Sequence, residues 1–286
     1  MSAYRFCRTD DIPLLVRAYN ECLAPRLPEL PPYSAADLKR DIRELGLWCS
    51  SCMVALEGDR PVGIMLGCKR PPETFVHTIA VHPDHLRQGH ARHLLTSLSA
   101  KLAILGPPRL VTEVPAGGTA ARALFEACGW REEMRFVDLV LELPPAAAAT
   151  AAQDAIVLPV TPADLGDGAL PPEGAPRAWE RSRATLSARR DRLSGLALVA
   201  GERIVASLIH ADDEPGPISV WNVVASEDDE GLSAVGVLLA DLRARRAGPI
   251  FIPRLGADEA QASRLELLGF RRTAETVRYV SAARPA

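Results

Sequence analysis

Residues Thr74 to Leu105 read TFVHTIAVHPDHLRQGHARHLLTSLSAKLAIL, and the change of rhythm inside this stretch decides the fold. Phe75 to Val81 mixes β-branched and aromatic residues without a formal charge, the pattern of a buried strand. After it, Ala91, Leu94, Leu95, Leu98, Leu102 and Leu105 recur at steps of three and four, so they share one helix face, and Gly106-Pro107-Pro108 ends that helix. His82 to Gly89 joins the two. The stretch is therefore a strand, a basic glycine-containing loop and a helix.

That order has a physical use. The first-turn amides of a helix lack intrahelical partners and carry the positive end of its dipole, so they bind anions. Gly89 and Ala91 let a ligand approach the backbone, and Arg87 and Arg92 add charge suited to a pyrophosphate. On these residues alone, an ordinary strand-to-helix crossover without a ligand fits as well.

The longer string IAVHPDHLRQGHARHLL resembles the acetyl-coenzyme A loop of the GNAT superfamily of N-acetyltransferases. Ile79-Ala80-Val81-His82-Pro83 matches the family's strand end, and Arg87-Gln88-Gly89-His90-Ala91 matches most of its loop. Leu86 stands where the family has Arg or Gln. ARALFEACGW, from Ala121 to Trp130, is similar to the family's later helix.

The resemblance implies acetyl-coenzyme A as cosubstrate. The backbone around Ile79, Ala80 and Val81 would hold the pantetheine and thioester, and Arg87, Gln88, Gly89, His90, Ala91 and Arg92 would take the pyrophosphate. The implied reaction is acetyl transfer to a primary amine of a small molecule or a protein, and a homodimer is compatible with it.

Such a transfer needs a neutral amine, donors for the developing oxyanion and a proton for the thiolate. His77, even-spaced with Ile79 and Val81, is the candidate base, against the alternative of a histidine satisfied within the sheet; Glu113 is the second candidate. The family's tyrosine proton donor is replaced by Phe125 and its helix-starting asparagine by Gly118. A non-catalytic acyl-coenzyme A-binding sensor or scaffold is therefore the alternative function.

The chain has 286 residues and a formal net charge of −3, enough length for two domains and no general attraction to nucleic acid or anionic membranes. The N-terminus lacks a signal-like apolar core and no run approaches a membrane span, so a cytoplasmic location is expected. Six cysteines then read as reduced thiols. Trp48-Cys49-Ser50-Ser51-Cys52 spells a redox pair, but it follows a helix at about 35–45 rather than starting one. Five of the six histidines, His77, His82, His85, His90 and His93, lie in the organising stretch; only His90 and His93 have helical spacing, and no metal site is assigned.

Around that stretch the sequence predicts a helix from Thr9 or Asp10 that turns Ile12, Leu15, Val16 and Tyr19 inward. It also predicts a Ser34–Asp37 capping box, a hairpin at 53–67, a strand at 110–114, a helix at 120–128 and a strand at 134–143. The low-complexity run Pro144 to Asp154 is a linker, and after it the order repeats. Strands are predicted at 156–160, 196–200, 204–209, 218–225 and 250–252. Val235, Leu238, Leu239 and Leu242 echo the organising helix, and LELLGF echoes LFEACGW.

The expected fold class is thus α/β (α+β), with two tandem GNAT-like domains, each a mixed central sheet flanked by helices. Residues 1–143 form the first, 144–154 the linker and 155–286 a degenerate second copy. In place of the basic loop, the second copy has Glu227-Asp228-Asp229-Glu230, which would satisfy a helix start and repel a pyrophosphate. The basic segment from Arg177 to Arg192 reads as a solvated helix face.

Overall fold

The computed structural model describes residues 2–29, 31–142, 155–212, 216–257 and 260–284. Two compact units divide the chain: Met1–Glu133 with Val277–Ala286 (unit 1), and Met134–Thr276 (unit 2).

Unit 1 begins with β1 (Ala3–Phe6), α1 (Ile12–Cys22) and α2 (Ala35–Glu44). α1 carries Pro13 in its first turn, where a missing N–H costs nothing, and buries Leu15, Ala18 and Cys22. The predicted capping box starts α2: Ser34 Oγ accepts from Asp37 N at 3.2 Å, and the Asp37 carboxylate accepts from Ser34 N at 2.9 Å. β2 (Met53–Glu57) and β3 (Arg60–Arg70) form the hairpin, followed by β4 (Glu73–Val81), α3 (His90–Leu105), β5 (Arg109–Pro115), α4 (Thr119–Ala127) and β6 (Arg131–Leu141). α3 buries Leu94, Leu95, Leu98 and Leu102. Leu105, expected on that face, is exposed, because the core cluster stops at Leu102.

The later elements are β7 (Ala155–Val160), α5 (Arg183–Arg189), β8 (Ser194–Ala200), β9 (Arg203–Asp212), β10 (Ile218–Ala225), α6 (Asp229–Arg245), β11 (Ile250–Gly256), α7 (Ala260–Leu267) and β12 (Arg271–Ala282). From the hairpin onward their order repeats that of the first half. Val235, Leu238, Leu239 and Leu242 of α6 are all buried, in a cluster with Leu196, Leu208 and Val220.

In unit 1 the strand order is β1-β2-β3-β4-β5, antiparallel until the parallel β4–β5 pair, with β12 beyond β5. In unit 2 it is β7-β8-β9-β10-β11, likewise antiparallel until the parallel β10–β11 pair, followed by antiparallel β6. Both are mixed α/β sheets flanked by helices.

The expected boundaries at 143 and 155 are not those of the units. Val277–Ala286 belongs to unit 1, and unit 2 begins at Met134, inside β6, so the sixth strand of each half completes the other half's unit. The predicted linker lies outside the described residues.

Candidate functional site

β4 and β5 part company early. They pair from Glu73↔Arg109 to Val76↔Thr112, although the strands run on to Val81 and Pro115. Thr112 Oγ1 closes the vertex of this fork by donating to Val76 O at 2.9 Å. The register with β3 shifts at the same point, between Leu66↔Thr78 and Gly67↔Val76, so His77 is the extra residue of a β-bulge. Such a bulge bends a strand and ends its pairing. Opposite the bulge, Gly67 lets the Cys49–Ser51 turn pack onto β3, since a Cβ there would lie 2.5 Å from Ser51 O.

Beyond the bulge, alternation assigns the peptide groups. His82 N donates to Val62 O at 2.9 Å, so residues 82, 80 and 78 turn their peptides toward β3, and those of Ile79 and Val81 face the fork. Arg26 Nη2 reaches Val81 O from that side at 3.3 Å. Ala80 contributes a buried methyl, its peptide being turned toward β3.

The loop after β4 carries two left-handed residues, Arg87 at φ 63° and Gly89 at φ 88°. They turn the chain so that α3 starts with no side chain among the described residues capping it, and nothing lies within 4 Å of the place a Gly89 Cβ would occupy. Arg87, Gln88 and Arg92 are exposed. Arg92 lies near the Cys128 thiol and lowers its pKa against the effect of burial, and neither arginine has an acidic partner among the described residues. Amides, open space and two guanidinium groups together fit a polyphosphate.

His90, expected to touch the cofactor, turns its ring inward. It is 5% exposed and its Nδ1 lies 2.7 Å from Tyr4 Oη in a hydrogen bond. Burial holds its pKa below the usual imidazole value, and the neighbouring His85 adds to the lowering. His90 therefore offers a ligand its amide alone.

At the other end of the fork, half-buried His77 has Nδ1 2.9 Å from Thr78 Oγ1 and its ring edge-on to Phe75. Tyr33 Oη donates to Asp41 Oδ2 at 2.5 Å and its ring stacks on Tyr19. Burial raises the Asp41 pKa, against the Tyr33 hydrogen bond and the His77 charge. Tyr33 and Asp41 escaped sequence reasoning; their only trace was a tyrosine beside a capping box and an acid one turn after Asp37.

Glu113, the second base candidate, is committed elsewhere. Its fully buried carboxylate accepts from Arg278 Nη2 at 2.6 Å, within a side-chain environment only 6% exposed at the arginine. Phe125 is buried edge-on to Trp130, and Tyr279 stacks on it with ring centroids 6.3 Å apart. The Tyr279 hydroxyl accepts from Arg122 Nε at 3.0 Å and donates to Glu126 Oε1 at 2.7 Å. Burial raises its pKa. Both Arg278 and Tyr279 come from β12, a strand the sequence pattern did not reveal.

Unit 2 occupies the vertex of the corresponding fork and the corresponding helix start. β10 and β11 pair only at Ile218↔Ile250 and Ser219↔Phe251, and a bulge falls at Trp221. Into this fork Arg181, expected on a solvated face, inserts a buried guanidinium that donates to Val220 O at 3.3 Å and Pro253 O at 3.1 Å. The two carbonyls freed by the diverging strands thereby gain a donor. At the start of α6, Asp228 Oδ1 accepts from Gly231 N at 2.8 Å. Ser226 folds so closely over this turn that a Cβ on Gly231 would lie 2.1 Å from Ser226 O.

All six cysteines are free. Cys49–Ser51 is a 3-10 turn rather than a helix start, and burial pushes the Cys7 thiol up to about 12. Among the described residues no group has the arrangement to hold a metal ion, and no helix is long and apolar enough to cross a membrane.

Residues 14–130 match the family model described as the Acetyltransferase (GNAT) family. The fold is similar to a tandem GNAT protein from the clavulanic acid biosynthesis pathway, at 15% identity and TM-score 0.70, over 100% of both chains. It is also similar to a GCN5-related N-acetyltransferase from Sphaerobacter thermophilus, at 16% identity and TM-score 0.66, over 100% of this chain and 96% of that one. A putative acetyltransferase from Pyrococcus horikoshii aligns at 15% identity and TM-score 0.58, over 99% and 90%. None of the curated proteins matches the chain in sequence.

Proposed function

We propose that the protein is a GNAT-type acetyltransferase in which unit 1 transfers an acetyl group from acetyl-coenzyme A to a primary amine and unit 2 is a degenerate copy without a second coenzyme site. The observation that carries this reading is the continuity of one segment. The fork opened at Val76–Thr112 exposes the peptides of Ile79 and Val81, and nine residues after Val81 the chain enters the uncapped, arginine-flanked start of α3.

Acetyl-coenzyme A supplies an activated acyl group as a thioester. The amides of the α3 start with Arg87, Gln88 and Arg92 hold its phosphates, and Ile79 and Val81 hold its amide-bearing arm as an added strand would be held. The Ile79 amide faces the fork and is the donor assigned to the oxyanion that develops on acyl transfer. His77, at the bulge, accepts the amine proton at one ring nitrogen while Thr78 Oγ1 fixes the other. Tyr279 replaces the hydroxyl that Phe125 lacks and donates a proton to the leaving thiolate; burial keeps the phenol protonated at neutral pH. Glu113 serves the fold through Arg278.

The test is a thioester-consumption screen against a panel of amines, amino acids and peptides. Consumption with at least one acceptor supports the enzyme. Coenzyme binding without turnover across the panel favours the sensor or scaffold reading, for which Phe125 is the motivating residue.

A further inference from the structure

Unit 2 contains a cavity of about 900 Å³ on the far side of the β10–β11 divergence from the paired residues. It lies beside the carboxyl ends of two parallel strands, where open α/β sheets hold ligands, and its size suits a small molecule. Its walls come from β10, the end of β11, α7 and the loop around Pro171 and Pro176.

The walls are held in place before any ligand arrives. Asn222 Nδ2 donates to Ala169 O at 2.9 Å, Arg183 binds Asp167 Oδ1 at 2.5 Å, and Arg264 donates to Ser226 O at 2.9 Å and Asp228 O at 2.6 Å. Proline adds stiffness to the loop wall, so little ordering remains to be paid on binding.

Chemistry narrows the occupant. Gln261 Nε2 donates to Val223 O at 3.0 Å, so by alternation the peptide groups of Val223 and Ala225 face the cavity and can donate to an oxygen-bearing ligand. Four arginines line it, Arg135, Arg177, Arg183 and Arg264; Arg183 pairs with Asp167 on the wall and Arg135 with Glu275 beyond it at 3.5 Å, Glu227 is the other acid of the wall, and most of the remaining wall is aliphatic or proline. The excess of positive charge favours an anion, and the apolar wall favours a body without charge. A polyphosphate is disfavoured, because Glu227 stands on the wall and Asp228 already occupies the amides of the α6 start.

We propose that this cavity is a binding site for a monocarboxylate with an apolar body, distinct in chemistry from the coenzyme site of unit 1. The carboxylate meets the arginine side of the cavity, and the apolar body lies along Val223, Val224 and Met134.

The test uses the full chain labelled at methionine and valine methyls, titrated with 4-phenylbutyrate and decanoate, and with 4-phenylbutylamine and coenzyme A as comparators. At least one carboxylate should shift the Met134 and Val224 methyls saturably, and the amine and coenzyme A should not. Ala225→Trp, which fills the cavity, should abolish the shifts. Should that variant fail to fold, Arg177→Glu should weaken carboxylate binding about tenfold or more in a folded protein. The proposal is overturned if neither carboxylate gives a saturable shift, if the amine binds equally well, or if folded Arg177→Glu keeps the wild-type affinity.

Discussion

Asp228 Oδ1 accepts the amide of Gly231 at 2.8 Å, and this one bond separates the two halves of the chain chemically. An N-terminal helix amide satisfied by its own carboxylate is closed to a phosphate, whereas the corresponding turn at Gly89 and His90 has no side-chain cap among the described residues. The Asp228 carboxyl is held below its usual range, first by Ser226 and then by the Gly231 amide, so it stays charged at neutral pH.

Reversing charge at the loop, with Arg87→Glu and Arg92→Glu together, should weaken coenzyme A binding by about a hundredfold or more, since two charge-assisted contacts are lost. Both side chains are exposed, so the thermal midpoint should stay close to wild type. Calorimetry on the folded double variant reads the outcome; unchanged affinity removes the loop from the site.

The two base candidates separate by kind of damage. His77→Ala should lower kcat by about 10² to 10⁴ with little change in coenzyme affinity. Glu113→Gln should replace the buried carboxylate of this ion pair with a neutral acceptor and so lower stability by about 1–3 kcal/mol. Denaturant melts beside single-turnover rates tell these apart, and wild-type turnover in His77→Ala returns that ring to a structural role.

Tyr279→Phe keeps the ring packed on Phe125 and deletes only the hydroxyl. If that hydroxyl protonates the thiolate, kcat should fall by about 10² or more with unaltered coenzyme binding, and the loss should be smaller for acyl donors with better leaving groups. A full-rate variant means that the bonds to Arg122 and Glu126 are structural.

How much of this was legible beforehand depended on where the signal was local. The strand, loop and helix from Glu73 to Leu105, the Ser34–Asp37 box and the buried face of α6 follow from spacing and side-chain chemistry over a few residues, and the structure has them. The fork does not, because the divergence goes with a bulge at His77 that is defined by the register of β4 against β3 and β5, pairings distant in sequence. β12 stayed hidden because its first five residues are exposed and mostly polar while Thr276 to Val280 are buried without alternation. Arg181 looks like its solvated neighbours in sequence, and its bonds to the carbonyls of Val220 and Pro253 join residues 39 and 72 positions away.

Acid should weaken unit 1 through His90. Its folded pKa is lowered by burial, so below about 6.5 the unfolded chain binds a proton that the folded chain refuses. The contribution is complete above that pH and is lost as the pH falls below it. The stability difference between wild type and His90→Gln, measured by urea midpoints, should therefore shrink from pH 7.5 to pH 5.5. A constant difference means that His90 does not titrate differently in the two states.

We propose that one chain offers one coenzyme site, in unit 1. Glu227, Asp228, Asp229 and Glu230 stand where unit 1 has its basic loop, and each like-charge contact a few ångströms from a phosphate costs on the order of 1 kcal/mol even at the surface. A few such contacts abolish micromolar binding, because about 1.4 kcal/mol is tenfold in affinity. Calorimetric titration of the full chain with coenzyme A should give one site per chain; two equivalent sites per chain would contradict the account.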